Sequence, residues 1–145
     1  MKRKLSVTIA MLGLLMLSAG AAHAQSRSTI NINVPFEFDA GDTTLPAGVY
    51  SVGFIARNHL LIRSTDGEKK VIVSAPFALN GRDNRLPPRL VFRRHGARHF
   101  LAQVWMLKTD AGRELYRSGA ERQLAGESKT ARGAAGPSDV VVAVQ

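Results

Sequence analysis

The chain contains no cysteine. That excludes disulfides, thiolate metal sites, cysteine nucleophiles and the lipid-modified cysteine of a lipoprotein, so stability has to come from a packed core. Aromatic residues make up only 6% of the chain, with one tryptophan and two tyrosines among them. So few rings leave little with which to stack on bases, and nucleic acid is the poorer expectation for a partner. Acids are scarce as well, 11 Asp and Glu against 20 Lys and Arg, for a net charge of +9. Past the first 24 residues no apolar run approaches the roughly 20 residues that a membrane-spanning helix needs. No serine sits in a G-x-S-x-G elbow and no glycine-rich phosphate loop is present, so the local signatures of acyl and phosphoryl transfer are missing.

What is there begins with an address. Lys2, Arg3 and Lys4 precede an apolar stretch over residues 5–17, and Ala22-His23-Ala24 closes it with small residues around a cleavage position. That order is the pattern of a secretory signal peptide cut after Ala24, so export to the periplasm or the extracellular space is expected. Without the three leader cations the rest holds 17 basic and 11 acidic residues, net +6. At 145 residues, of which 45% are hydrophobic, the chain suits one globular domain.

Along the expected mature chain the dominant period is 2. Ile30, Ile32, Val34, Phe36 and Phe38 share one face, with Asn31, Asn33, Pro35 and Glu37 on the other, which predicts a half-buried strand over residues 29–38. Pro35 cannot donate to a ladder and favours an edge position. Turns are expected at residues 39–42, at Leu45-Pro46-Ala47-Gly48, at Arg57-Asn58, at Asp66-Gly67 and at His95-Gly96, with a polar loop over residues 81–88. Asp110-Ala111-Gly112 adds another turn before a short returning strand over residues 113–117. Ser118 with Glu121 three residues on forms a capping box, and Gly126 is the expected stop of a two-turn helix. The expected organisation is a cleaved leader (1–24), a single β domain (25–125), and a flexible linker with an apolar last strand or tail (126–145). About seven short strands spaced by turns predict an all-β fold, an antiparallel sandwich or a small partly open barrel, with one short helix near its C-terminal end.

Two groups of residues carry a resemblance. Val34-Pro35-Phe36-Glu37-Phe38 followed by Leu45-Pro46-Ala47-Gly48-Val49-Tyr50 resembles the V-P-F-x-F … L-P-A-G-x-Y pattern of a family of small secreted soil-bacterial proteins. Leu90-Val91-Phe92, Trp105 and Gly112-Arg113-Glu114-Leu115 resemble later blocks of the same family. The resemblance spans most of residues 30–125. It implies a secreted fold and carries over no catalytic residue. The L-P-x-G-x-Y turn is also similar to one found in prealbumin-like and immunoglobulin-like modules of bacterial surface proteins, which implies a sandwich.

The charge distribution supplies the candidate site. Arg82, Arg85, Arg89, Arg93, Arg94 and Arg98 fall within 17 residues containing one acid, Asp83. Guanidinium grips phosphate and carboxylate bidentately, and a hairpin turning at His95-Gly96 brings Arg94 and Arg98 together. Arg89, Arg93, Arg94 and Arg98 are therefore the candidate anion-binding residues, with lipopolysaccharide phosphate or an acidic polysaccharide as partner. The competing expectation is that these arginines are a solvated rim or pair with acids elsewhere.

Other residue groups give less. His95 and His99 are four apart, a spacing suited to zinc on a helix, but they flank a turn and have no third ligand nearby unless His59 comes to them. Glu37, Asp39 and Asp42 cluster around Gly41 without the ligand spacing of a calcium loop. No metal, cofactor or catalytic residue is assigned. The expected function is a non-catalytic, exported binding or structural module of the cell envelope. The alternatives are assembly by strand addition through residues 30–38 or 140–144 and, behind it, a small hydrolase or metal enzyme using the histidines.

Overall fold

The computed structural model describes residues 28–81, 86–106, 111–130 and 138–144. The expected leader, Arg82, Arg85 and residues 131–137 lie outside these. No helix among the described residues is long and apolar enough to cross a membrane.

The described residues form an all-β sandwich of two sheets with one helix, and the sheets do not close into a barrel. Strand β1 (Thr29–Val34) alternates as its sequence dictates, with Ile30, Ile32 and Val34 buried and the residues between them exposed. The strand expected over residues 29–38 is divided at Pro35. β2 (Phe38–Ala40) belongs to the other sheet, where it pairs with β3 (Thr43–Leu45) and, in parallel at Asp39–Phe100, with β9 (Arg98–Trp105). Proline lacks the N–H that would continue a ladder, so the chain changes sheets there while the alternation still aims Phe38 at the core. Gly41 makes the β2–β3 turn with φ 62°, a conformation that suits glycine.

The first sheet continues with β4 (Gly48–Ala56), β5 (His59–Ser64) and β6 (Lys70–Ser74) in the order β1-β4-β5-β6. β1 is an edge strand, and it ends before Pro35. The Asp66-Gly67 turn joins β5 to β6; the Asp66 carboxylate accepts hydrogen bonds from the Ser64 hydroxyl and the Glu68 amide at 2.9 Å. The Ser64 hydroxyl above all, then the Glu68 amide, holds the Asp66 carboxyl below its ordinary pKa.

The second sheet contains β7 (Phe77–Asn80), β8 (Arg89–His95), β9 (Arg98–Trp105), β10 (Ala111–Glu114) and β11 (Ser138–Ala143), ordered β11-β8-β9-β10-β7. The described residues thus hold eleven strands where about seven were expected, because β2, β3 and β7 are too short to show a period. The core between the sheets includes Ile32, Val34, Phe38, Tyr50, Leu60, Leu90, Phe92 and Val104, all 2% exposed or less. Phe36 and Phe38 meet the edge of Phe92 at 5.2 and 5.3 Å, and Phe38 meets Tyr50 at 5.3 Å. Such edge-on pairs contribute about 0.5–1.5 kcal/mol each beyond their burial. The Tyr50 hydroxyl donates to the Pro46 carbonyl at 2.6 Å, which closes the Leu45-Pro46-Ala47-Gly48 turn onto the core.

Helix α1 (Gly119–Thr130) starts as its capping residue predicts, with the Glu121 amide donating to the Ser118 hydroxyl at 3.1 Å. It runs through Gly126 rather than stopping there. Gly126 is exposed with open space around it, so the helix bears only the propensity cost of about 1 kcal/mol. Of the segment expected as a linker and a last strand or tail, residues 126–130 belong to α1, residues 131–137 lie outside the described residues, and residues 138–143 form β11. β11 pairs with β8 from Ser138–Arg94 to Ala143–Arg89, and Val140, Val142 and Val144 pack on the core.

Candidate functional site

The β8–β9 hairpin turns through Gly96, at φ 62°, and Ala97. Its two faces meet different surroundings. Leu90 and Phe92 point into the core, whereas Val91, Arg93 and His95 alternate onto the face away from the first sheet, where α1 packs.

The structure separates the four candidate arginines. Arg93 is 8% exposed and lies within an ion-pair cluster. Its Nη1 donates to Glu121 Oε1 at 2.8 Å and its Nη2 to Glu114 Oε1 at 3.0 Å. Glu121, 2% exposed, is thereby the contact through which α1 sits on the sheet. The same Oε1 has Arg117 Nε at 3.8 Å and His95 Nε2 at 3.6 Å. His95 Nε2 is buried and has no hydrogen-bond partner among the described residues. Arg93 is therefore structural: it neutralises carboxylates that the fold has taken out of water, and removing one partner of such a pair typically costs about 3–5 kcal/mol.

Arg98 is half exposed. It donates to Asp39 Oδ2 at 2.8 Å and lies 5.0 Å over the Phe100 ring. Asp39 is buried and also accepts from the Thr44 hydroxyl at 2.5 Å. Arg89 is at the opposite end of β8, its guanidinium 4.6 Å over Trp105. The Trp105 ring lies against Gly112, where a Cβ would stand 2.6 Å from it, and its Nε1 donates to Gln103 at 3.1 Å. Arg94 alone of the four is exposed with no ion-pair partner among the described residues.

One continuous patch of Arg89, Arg93, Arg94 and Arg98 is thus not what the fold builds. Strand alternation sends Arg93 and Arg94 to opposite faces, and α1 covers Arg93. The hairpin does not bring Arg94 and Arg98 together either: Arg94 stands across from His99 and Arg98 across from His95, so the two leave opposite faces. Beside Arg98 a cavity of about 400 Å³ is lined by Phe36, Glu37, Asp39, Thr44 and His99 among others. Its wall is mixed in charge, and the His99 ring stacks on Phe36 at 4.1 Å.

The histidines do not meet. His95 faces α1, His99 faces Phe36, and His59 opens β5 in the other sheet. Among the described residues no three His, Asp or Glu side chains are placed to hold a metal ion. In the acidic cluster Glu37 and Asp42 are exposed, and Asp39 is occupied by Arg98 and Thr44. Sequence reasoning missed the roles of Asp39 and Glu121. A turn assignment and a helix cap had already explained these residues locally, and their arginine partners are 59 and 28 positions away.

Comparison of the chain with models of known protein families, with curated proteins and with solved structures gave no match.

Proposed function

We propose that the chain is an exported, non-catalytic β-sandwich of the cell envelope that meets an anionic polymer with the tip of its β8–β9 hairpin. The observation that carries this reading is Arg94, exposed beside the tight Gly96 turn and without an ion-pair partner among the described residues. Arg98, on the other face of the same hairpin, is paired with Asp39. Arg94 is thus the guanidinium left to meet a phosphate or carboxylate group of lipopolysaccharide or acidic polysaccharide. The leader pattern and the resemblance to a secreted family support the compartment.

The test is binding of the purified chain to such polymers across a salt series, beside an Arg94→Ser variant. Affinity should fall as salt rises, because exposed charges are screened beyond about 8 Å at physiological ionic strength. It should drop at least several-fold in the variant with the fold intact. Equal binding by the two proteins would remove the proposal. Arg93 is left unaltered, since its replacement perturbs the fold and would confuse the two effects.

A further inference from the structure

The edge strands of the two sheets, β1, β6, β7, β11 and the three-residue β3, are not protected alike. An edge strand offers unpaired N–H and C=O groups to any other strand, and natural edges are blunted by charge, by shortness or by proline. β6 begins at Lys70 and follows Lys69, β7 has only four residues, and β11 carries Asp139. β1 has six residues, no charge and a continuous register with β4 that shows no bulge. Among the described residues its other side, over residues 30–34, has no strand partner.

The surroundings of that edge are just as neutral. β4 has no charged residue either. A groove of about 640 Å³ runs along the seam between β1 and β11, and the residues that line it, among them Asn31, Asn33, Val49, Val141 and Val142, are all uncharged. Val49 is 43% exposed and Val141 56%. In a protein of net charge +9 this is a side on which a second copy approaches without opposing like charges.

We infer that β1 is a self-association edge, on which the partner is β1 of a second copy of this chain. Antiparallel pairing about a two-fold axis at Ile32 is self-complementary, so the same residues serve both copies. Asn31 then stands opposite Asn33 of the second copy on the outer face, where their amides can exchange hydrogen bonds. Ile30, Ile32 and Val34 continue the apolar face, and two four-stranded sheets become one of eight strands. A six-residue edge is small against the roughly 1,200–2,000 Å² buried in stable complexes. The association is therefore a monomer–dimer equilibrium in about the micromolar range rather than an obligate dimer.

The experiment is sedimentation of the chain as recovered from expressing cells, its N-terminus read by mass spectrometry, over a concentration series. Apparent mass should rise towards twice the monomer value. Asn31→Lys/Asn33→Lys, which sets four lysines face to face across the two-fold at exposed positions, should weaken association more than tenfold with an unchanged melting curve. Ile72→Lys, exposed on β6 at the opposite edge of the same sheet, should leave it unchanged. Hydrogen exchange on the unaltered chain gives a readout that needs no variant: amides within residues 30–34 should gain protection as concentration rises. A monomer at every concentration, dimerisation that survives the double lysine variant, loss of the dimer through Ile72→Lys, or exchange independent of concentration would each overturn the inference.

Discussion

The second sheet is covered on one face by the first sheet and on the other by α1, and the two coverings are built differently. On the inner side Leu90 and Phe92 meet Phe36, Phe38 and Val140 in an apolar core. On the outer side Arg93 and His95 meet a helix whose one buried side chain among those described is Glu121. The first contact is non-directional and scales with area. The second depends on one carboxylate oxygen shared among two guanidinium groups and an imidazole. One strand can therefore be buried on both faces while only one face looks apolar in sequence.

The largest effect expected is on the apolar side. Phe92→Ala empties a fully buried position and should cost about 3–5 kcal/mol in a denaturant titration, with loss of a single cooperative transition if the protein lacks that margin. On the ionic side Glu121→Gln keeps the shape but removes the charge facing Arg93, for an expected cost of about 1–3 kcal/mol. Replacing the pair together, Arg93→Met/Glu121→Leu, sharpens the contrast. It should recover most of that loss, because apolar substitutes for a buried ion pair are often as stable as the pair itself. A double variant less stable than Glu121→Gln alone would show that the cluster contributes more than helix attachment.

Smaller effects separate the two regions further. Tyr50→Phe deletes the hydrogen bond to Pro46 at the base of the apolar core, for about 1 kcal/mol at neutral pH. The Tyr50 phenol is held above its ordinary pKa by burial first, and by the Asp66 charge second. The unfolded chain therefore ionises before the folded one. Its contribution is complete below the ordinary phenol pKa of about 10 and is lost as pH rises through the higher folded value. Thermal melts in that alkaline window should fall less steeply for Tyr50→Phe than for the parent. The smallest change is Ser118→Ala, which removes the α1 cap for about 0.5–1 kcal/mol and should loosen the helix before the sheets, as seen by hydrogen exchange.

The features legible in the sequence are those set by neighbours along the chain. The alternation of β1, the glycine turns at Gly67 and Gly96, and the Ser118 cap all follow from residues within a few positions of one another. β2 was hidden because three residues show no period, and because Asp39, a turn former by type, is buried in a strand and paired with Arg98. The arginine window was visible, but its division was not. Alternation identifies which side chains leave the core, yet only the helix arriving 28 residues later determines that Arg93 leaves it for a second interior rather than for water. Pro35 lies between β1 and β2 rather than within an edge strand, and the move to the opposite sheet depends on where β9 lies.

That move bears on how quickly the protein can fold. β2 joins its sheet through a parallel bridge from Asp39 to Phe100, and β8 gains its outer neighbour only when residues 138–143 arrive. Pairings between such distant segments incur loop-closure entropy before any contact repays it. Sandwiches dominated by them fold in about milliseconds to seconds, well behind helical proteins of similar size. Until these pairings form, Leu90 and Phe92 are uncovered, the kind of transient apolar exposure that makes slowly folding chains prone to aggregate.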